Sequence, residues 1–344
     1  MDPVTQTKEK VLVAMSGGVD SSVAAHLLAQ AGYEVTGVFL RMREGPGPEG
    51  DAADARRVAE ALGIELLVLE AAGDFARIID YFVAEYSRGR TPNPCVHCNA
   101  LVKFGLLVAR ADERGARWVA TGHHARIADG AIRRAAGKDQ SYALFGVPRG
   151  FLERMLLPIG DFPGKAEVRG IAAGLGLPVA EKPESQDICF VSGRYVELLR
   201  RRPEALRPGN IVDLSGHILG RHDGVGHFTV GQRRGLGVAV GRPMYVTRID
   251  PATATVTIGS KQEVTSSGLS ASAANWHVEA PAAGGAFEAM VQIRYHHEPS
   301  AGRVRITGPD TFQVEFAHPV AAVTPGQAAV VYDGDRLLGG GWID

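Results

Sequence analysis

The chain has 344 residues, of which 45% are hydrophobic and 22% are charged, and its formal net charge is −1. This composition leaves room for two or three globular domains, and three cysteines are too few for a fold held together by disulfides. The N-terminus is polar, and no apolar stretch approaches the roughly 20 residues that span a bilayer. We therefore expect a cytoplasmic protein with no membrane partner, whose cysteines serve chemistry rather than structure.

The first half of the sequence alternates between strand and helix patterns. Strands are predicted over 11–15, 35–40, 64–69 and 118–121, and helices over 21–31, 52–62, 75–86 and 101–113. This alternation is typical of an α/β domain in which helices cover both faces of a parallel sheet. Ligands of such domains bind at the carboxyl ends of the strands.

The most specific motif, Ser-Gly-Gly-Val-Asp-Ser at 16–21, lies between the first strand and the first helix. Two glycines allow a sharp turn and a close approach to a ligand, and the N–H groups of the following helix attract phosphate. Asp20 would repel phosphates unless it held a Mg²⁺ ion that the phosphates share. The motif predicts a nucleotide site with Mg²⁺ at Asp20. It is not a Walker A loop, because neither Gly137-Lys138 nor Gly164-Lys165 is followed by Ser or Thr.

The segment Gly45–Gly50 formally matches the dinucleotide fingerprint G-x-G-x-x-G. Its two prolines lack the N–H donors that the fingerprint needs. We therefore interpret this segment as a flexible loop.

From about Gly209 the helical pattern gives way to short apolar runs between glycine-rich turns, which predicts two small all-β modules. The runs are 211–214, 227–230, 245–249, 255–258, 289–294, 304–306, 313–316 and 328–332. A cluster of Ser and Gly at 265–268 suggests the break between the two modules. The expected domains are 1–203, 204–266 and 267–344.

Two arginine clusters, at 194–207 and 221–248, stand close to this change of pattern. Either cluster alone is equally consistent with a solvated face. Together, and beside a nucleotide site, they favour a polyanionic substrate.

Cys95 and Cys98 form a Cys-x-x-Cys motif in a proline-rich loop, and the third cysteine is Cys189. A Cys-x-x-Cys motif serves either redox pairing or metal binding. A zinc ion normally has four ligands, so a histidine such as His97, His123 or His124 would have to complete a zinc site. The cysteine pattern alone leaves these alternatives open.

Taken together, the motifs resemble those of the tRNA-specific 2-thiouridylase family of PP-loop ATP pyrophosphatases, nearly from end to end. The matching blocks are 14–21, 89–99 with 103–104, 120–126, 138–142, 187–190, 228–237, 293–295, 322–327 and 339–342. The resemblance implies a Rossmann-like PP-loop domain with a parallel sheet, followed by two small β-rich modules, the last of them a β-barrel.

The resemblance also implies an activity. Enzymes of this family use ATP to adenylate the 2-oxygen of the wobble uridine in tRNA, and sulfur then replaces that oxygen. By resemblance, a sulfur-relay protein or cysteine desulfurase loads Cys189 as a persulfide. Cys98 then either frees the sulfur, leaving a Cys98–Cys189 disulfide, or assists a direct attack. Both cysteines would act as thiolates.

The remaining site residues follow from the same matching blocks. The expected ATP contacts are Ala14, Met15, Ser16, Gly17, Gly18, Val19, Asp20, Ser21, Leu40 and Gly122. The expected contacts with the target base are Asn93, Pro94 and Cys95. The expected tRNA contacts are Lys138, Asp139, Gln140, Arg294 and Tyr295. We expect a monomer.

Cys95 departs from the family pattern, because many members have at this position an Asp proposed as general acid or base. This departure keeps a second sulfur route open, in which Cys95, Cys98 and Cys189 hold a [4Fe–4S] cluster and give the same product. A non-thiolating PP-loop synthetase that uses ammonia would give Cys189 no role. A non-catalytic zinc- or RNA-binding module would leave the loop at 16–21 unexplained.

Overall fold

The structure is a computed structural model that describes residues 8–43, 46–183, 188–191, 195–200 and 203–344, without the side chains of 46–48, 204 and 205. The motif residue Asp187 and three arginines of the first cluster (Arg194, Arg201 and Arg202) lie outside the described residues. The described residues form two compact units. The first lies within 1–77, 95–186 and 335–337, and the second within 78–94, 187–334 and 338–344.

The first unit contains the predicted parallel sheet. The strands of this sheet are β1 (Lys10–Ala14), β2 (Glu34–Arg41), β3 (Glu65–Glu70), β4 (Trp118–Thr121) and β7 (Met155–Leu156). Between β4 and β7 the chain forms an antiparallel hairpin outside the sheet, with strands β5 (Ala125–Ala128) and β6 (Ala131–Arg134). The helices of this unit are α1 (Val19–Gln30), α2 (Pro46–Leu62), the start of α3 (Ala72–Ser87), most of α4 (Pro94–His97), a π-helix at Cys98–Phe104, α5 (Gly105–Glu113) and α6 (Lys165–Gly174).

The order of the sheet is β3-β2-β1-β4-β7, and every pairing within it is parallel. The chain leaves β1 toward β2 on one side and returns to β4 on the other, so the strand order reverses between β1 and β4. Ligands of open α/β sheets bind at such a reversal, outside the carboxyl ends of the strands. The loop at 16–21 and Gly122 both follow strands that flank it.

The core of this unit explains why these elements form. β-Branched residues of β1, such as Val11 and Val13, are fully buried, and Val23 and Ala24 of α1 pack against them. Val is favoured on a sheet that is covered on both faces. The small alanine lets α1 lie close to the strands.

One expectation about this unit was wrong. The segment expected to be a flexible loop enters α2, which begins at Pro46, while Gly45 lies outside the described residues. A proline in the first turn of a helix replaces an N–H group that would have no intrahelical partner, and its fixed φ suits the helix. The prolines therefore start a helix at this position rather than preventing one.

The second unit contains the β-rich modules. A four-stranded sheet is formed by β8 (Gly209–Val212), β9 (Ile218–His222), β10 (Tyr245–Asp250) and β11 (Thr255–Gly259), and a short helix, α7 (Val196–Leu199), precedes it. The expected strand at 227–230 is absent, because Val225–His227 forms a 3₁₀ turn. Gly231, with φ +87°, then turns the chain away from extended geometry.

The C-terminal module is a closed antiparallel barrel, as predicted. Its strands are β12 (Thr265–Trp276), β13 (Ala286–Gln292), β14 (Ser300–Gly308), β15 (Thr311–Ala321), β16 (Ala328–Asp333) and β17 (Arg336–Ile343), the first two residues of which belong to the first unit. They pair in the order β12-β15-β14-β13-β16-β17, and β12 also pairs with β17, which closes the barrel. Alternating residues such as Val304, Ile306, Phe312 and Val314 fill the interior. None of the helices in the described residues is long and apolar enough to cross a membrane.

Candidate active site

The loop between β1 and α1 is held by hydrogen bonds among its own residues. The Ser21 hydroxyl accepts a bond from the Ser16 N–H group at 3.1 Å and donates to the Gly18 carbonyl at 3.1 Å. The Ser22 hydroxyl donates to the same carbonyl at 2.8 Å. Because the first N–H groups of a helix have no intrahelical acceptor, the loop presents the start of α1 to an anion.

Two glycines bring other backbone segments close to this loop. Gly17 has φ +71°, and a Cβ atom there would lie 2.2 Å from the Asp51 carbonyl oxygen. Gly122 lies against the first turn of α1, where a Cβ atom would be 2.5 Å from the Ser21 nitrogen. A larger residue at either position would displace the loop. Of the apolar residues expected at this site, Met15, Val19 and Leu40 are buried.

Asp20 projects from the first turn of α1 between two basic side chains. Its Oδ2 atom lies 3.2 Å from Lys165 Nζ and 3.5 Å from His124 Nε2. Burial alone raises the pKa of Asp20, but the contacts with His124 and Lys165 outweigh it and hold that pKa below its ordinary value. Among the residues that the structure describes, the buried Oδ1 atom has no hydrogen-bond partner. An ionised carboxylate with one unpaired oxygen fits the Mg²⁺ ligand predicted here, because Mg²⁺ commonly takes one or two carboxylates together with substrate phosphates.

His123, the first of the two histidines after β4, contacts Thr121 and Phe104. The His123 Nδ1 atom is 2.8 Å from the Thr121 hydroxyl, and its ring stacks on Phe104. Burial lowers the pKa of His123 to about 3, with further lowering from the charge of Lys103. His123 is therefore neutral at physiological pH, so it adds no positive charge for phosphates.

Lys182 was not predicted from the sequence, and Lys165 was noted only because Gly164-Lys165 is not a Walker A motif. Lys182 Nζ donates to the Gly17 carbonyl at 2.9 Å and to Asp51 at 2.7 Å, and it also bonds Asp54. Burial lowers the pKa of Lys182, but its carboxylate partners outweigh that effect and raise it. A charged lysine thus lies against the backbone of residues 16–21, here called the phosphate loop after the ligand predicted for it. A lone lysine more than 100 residues away in sequence carries no motif that would have revealed it.

Cys95 and Cys98 lie on consecutive helical segments. Cys95 is an exposed residue of α4, whereas Cys98 begins the π-helix and is buried. The expected continuous helix over 101–113 is interrupted by this π-helix, a feature often found at functional sites. The buried Asn99 side chain donates to the Ala143 carbonyl at 2.9 Å and anchors the segment within the first unit.

Cys189 belongs to the second unit, within the short described stretch 188–191, and it is exposed. The next residue, Phe190, is buried and packs edge-to-face on Phe82 of α3, with ring centroids 5.2 Å apart. Within the part of the chain that the structure describes, no three His, Cys, Asp or Glu side chains gather into a metal-binding group.

The residues that precede the cysteines are fastened to the C-terminal barrel. The Thr91 N–H group donates to the Pro325 carbonyl at 2.8 Å, and the Gln327 amide donates to the Thr91 carbonyl at 2.9 Å. Arg90 reaches the Ile343 carbonyl at 2.9 Å. These contacts join two of the matching blocks, 89–99 and 322–327, so the approach to Asn93 and Pro94 is fixed by residues more than 200 positions away.

The expected tRNA contacts lie in two places. Lys138, Asp139 and Gln140 occupy a tight loop of the first unit after β6, where the Asp139 carboxylate bonds the backbone on both sides of itself. Arg294 and Tyr295 follow β13 in the second unit, and the buried Gln292 side chain donates to both of their carbonyls.

Comparison with known proteins gives matches along nearly the whole chain. Family models described as tRNA methyl transferase HUP domain, tRNA methyl transferase PRC-barrel domain and aminomethyltransferase beta-barrel domain match residues 9–193, 197–260 and 266–343. A Rhodopirellula baltica protein named tRNA-specific 2-thiouridylase MnmA is 45% identical, covering 97% of this chain and 96% of the relative. A protein of the same name from Chloroflexus aurantiacus is 47% identical, covering 97% of this chain and 98% of the relative.

Proposed function

Because this chain belongs to the tRNA-specific 2-thiouridylase family, we propose that it converts the wobble uridine of tRNA to 2-thiouridine, with ATP cleaved to AMP and pyrophosphate. The observation that carries the proposal is the end-to-end similarity, which includes the phosphate loop and both β-rich modules. The non-thiolating and non-catalytic alternatives would leave that similarity without a reason.

In the first half-reaction the uridine O2 atom attacks the α-phosphorus of ATP, and pyrophosphate leaves. We propose that the backbone from Ala14 to Ser21 holds the departing pyrophosphate, with Leu40 and Gly122 beside the nucleotide. Lys165 and Lys182, close to the same loop, add positive charge where negative charge develops. Asp20 would hold the Mg²⁺ ion, which supplies charge neutralisation for the phosphates when it is bound.

In the second half-reaction sulfur displaces AMP from C2. We propose that Cys189 carries the sulfur as a persulfide and that Cys98 is the second thiolate. If Cys98 attacks Cys189 Sγ first, hydrosulfide leaves and attacks C2. If the persulfide attacks C2 directly, Cys98 must then cleave the resulting C2–S–S–Cys189 linkage. Electron balance gives the same end state on both routes, a Cys98–Cys189 disulfide, so a thiol reductant is needed before the next turnover.

We propose that residues 232–244 of the second unit, here called the arginine loop, contribute to tRNA binding. This loop borders a cavity of about 480 Å³ that is lined by Arg233, Leu236, Arg242 and Met244, among others. The Gln232 side chain fixes the loop by accepting from the Thr229 N–H group and donating to the Arg234 carbonyl, each at 3.0 Å. Exposed arginines on a rigid loop suit a phosphate backbone.

The remaining partners are proposed on the resemblance. Lys138, Asp139, Gln140, Arg294 and Tyr295 would contact tRNA, and Asn93, Pro94 and Cys95 would face the target base. The sulfur donor would be a sulfur-relay protein or a cysteine desulfurase. We propose that the enzyme acts as a monomer in the cytoplasm.

The test is a thiolation assay on unmodified tRNA with the full chain purified anaerobically, ATP, Mg²⁺ and a desulfurase that generates persulfide. Iron is quantified on the same sample. We expect ATP-dependent 2-thiouridine from iron-free protein and, without reductant, one disulfide per turnover by mass spectrometry. Activity that tracks bound iron would replace the persulfide route with the [4Fe–4S] route, and no thiolated uridine under any condition would refute the proposed function.

A further inference from the structure

The loop that carries the expected tRNA contacts also supports the acidic residue of the phosphate site. Within the first unit, two separate chains of contacts lead from residues 135–141, here called the Asp139 loop, to Asp20. Neither chain of contacts is implied by the family motifs.

The first chain of contacts runs through His124. The Gln140 N–H group donates to the His124 carbonyl at 2.7 Å, and the His124 N–H group donates to Gln140 Oε1 at 2.9 Å. This reciprocal pair fixes the backbone of a residue whose side chain is 1% exposed. The His124 Nε2 atom lies 3.5 Å from Asp20 Oδ2 and has no hydrogen-bond partner within the described residues.

The second chain of contacts runs through the start of α6. A Cβ atom on Gly137 would lie 1.8 Å from the Pro163 carbonyl oxygen, so the loop backbone rests directly on Pro163. Two residues later Lys165 begins α6, and its Nζ atom is 3.2 Å from Asp20 Oδ2. Both basic partners of Asp20 therefore depend on the position of the Asp139 loop.

Hydrogen bonds to a single carboxylate, that of Asp139, hold the loop itself. The Asp139 carboxylate accepts hydrogen bonds from the Ala135 N–H group at 3.0 Å, from the Ser141 N–H group at 3.1 Å and from the Ser141 hydroxyl at 2.9 Å. Arg134 Nε adds a fourth bond at 3.2 Å. A carboxylate that is used in this way shapes the loop and leaves Gln140 facing His124.

We propose that Gln140 is a positioning residue, which sets His124 against Asp20 and so tunes the affinity of the phosphate site for a magnesium-bound nucleotide. The inference rests on the proposed function only in assigning ATP to that site. It links the segment that carries the expected tRNA contacts to the nucleotide site within the first unit, so that a contact at Lys138 would lie two residues from the support of Asp20.

The test measures binding of α,β-methylene-ATP to the full chain by calorimetry, without tRNA, at several Mg²⁺ concentrations. Gln140→Met keeps the volume but loses the acceptor, and we expect the affinity with Mg²⁺ to fall about five- to ten-fold while the affinity without Mg²⁺ stays the same. Gln140→Glu keeps an acceptor for the His124 N–H group and should restore affinity to within about two-fold. Ala136→Ser, at an exposed position of the same loop, is the control and should leave nucleotide binding unchanged.

Unchanged affinity of Gln140→Met with Mg²⁺, or equal losses with and without Mg²⁺, would overturn the positioning role. Equal losses in the Met and Glu variants would do the same, because the acceptor would then not matter. A wild-type chain that binds no nucleotide would instead refute the proposed function. The thermal midpoint of each variant is measured alongside, and Gln140→Glu keeps the test usable if the Met variant does not fold.

Discussion

The phosphate loop and the segment before the cysteines are held in opposite ways. Ser16 and Ser21, which organise the loop, are five residues apart, whereas Thr91 and Gln327, which fix the approach to Cys95, are 236 residues apart. The phosphate loop is held by its own neighbouring residues, whereas the segment before the cysteines depends on the loop between β15 and β16 of the barrel and on the end of β17. We infer that adenylation and sulfur transfer can be damaged separately, the second by changes far along the chain.

The largest effect is expected at the cysteines. Cys98→Ser and Cys189→Ser should each lower 2-thiouridine formation by at least about a thousand-fold, because in the proposed mechanism each removes a sulfur that forms or breaks a bond. Pyrophosphate release and tRNA binding should be retained, and both are measured on the same samples. Substantial thiolation by either variant would show that the two-cysteine assignment is wrong. Cys95→Ser separates the two sulfur routes, because a [4Fe–4S] cluster would need all three thiolates, whereas the persulfide route needs only Cys98 and Cys189.

A second large effect is expected at Asp20, and it should appear in adenylation rather than in sulfur transfer. Asp20→Asn removes the negative charge but keeps the shape, and pyrophosphate release should fall about a hundred-fold. The control is Asp161→Asn, since that carboxylate is 84% exposed. If the Asp20 variant released pyrophosphate at the normal rate, the metal role would fail, and with it the separation of the two sites.

The close approach at Gly17 should affect stability as well as binding. Gly17→Ala places a methyl group against the Asp51 carbonyl at positive φ, whereas Gly32→Ala meets nothing within 4 Å at a similarly positive φ. Positive φ alone costs about 1–2 kcal/mol, so Gly32→Ala should lower the free energy of unfolding by that amount. Gly17→Ala should lose about 1–3 kcal/mol more and also lose nucleotide affinity. Equal losses in chemical denaturation would mean that Asp51 moves away freely.

The same contrast shows how much the sequence could predict. The parallel sheet and the loop at 16–21 were predicted, because glycine turns, apolar periods and hydroxyl-rich helix starts are local patterns. The terminal barrel was expected only from the family resemblance, since the residue patterns alone indicated no more than small all-β modules. Lys182 and the reciprocal pair of Gln140 and His124 were not predicted, since each depends on where distant backbone lies. The π-helix at Cys98 was also missed, because no simple residue pattern marks it. The strand expected at 227–230 is absent, because a 3₁₀ turn ends at His227 and the positive φ of Gly231 turns the chain, although the run itself is apolar.

A moderate effect is expected from loosening the long-range support of the cysteine segment. Gln327→Met removes the amide that bonds the Thr91 carbonyl but keeps the volume, and thiolation should fall about ten-fold while pyrophosphate release changes less than about two-fold. Gln327→Glu is not a fair control, because it brings a charge to the Thr91 carbonyl. Gln313→Met, on an exposed position of β15, serves instead. Equal loss of both half-reactions would remove the link between the barrel and sulfur transfer.

The smallest effect is expected at the arginine loop, and it concerns neither half-reaction directly. Arg233→Ala and Arg242→Ala should each weaken tRNA binding about three- to ten-fold and lower the slope of log affinity against log salt by about one, because each contact with a phosphate releases a counterion. Binding of α,β-methylene-ATP should not change. Arg305→Ala is the control, since its guanidinium bonds Gln313 on the barrel surface. A weaker affinity with an unchanged salt slope would mean that the loop shapes the surface rather than touching phosphate. In that case the affinity for tRNA would depend, like the position of the cysteine segment, on contacts between residues far apart in the sequence rather than on the charge of a single arginine.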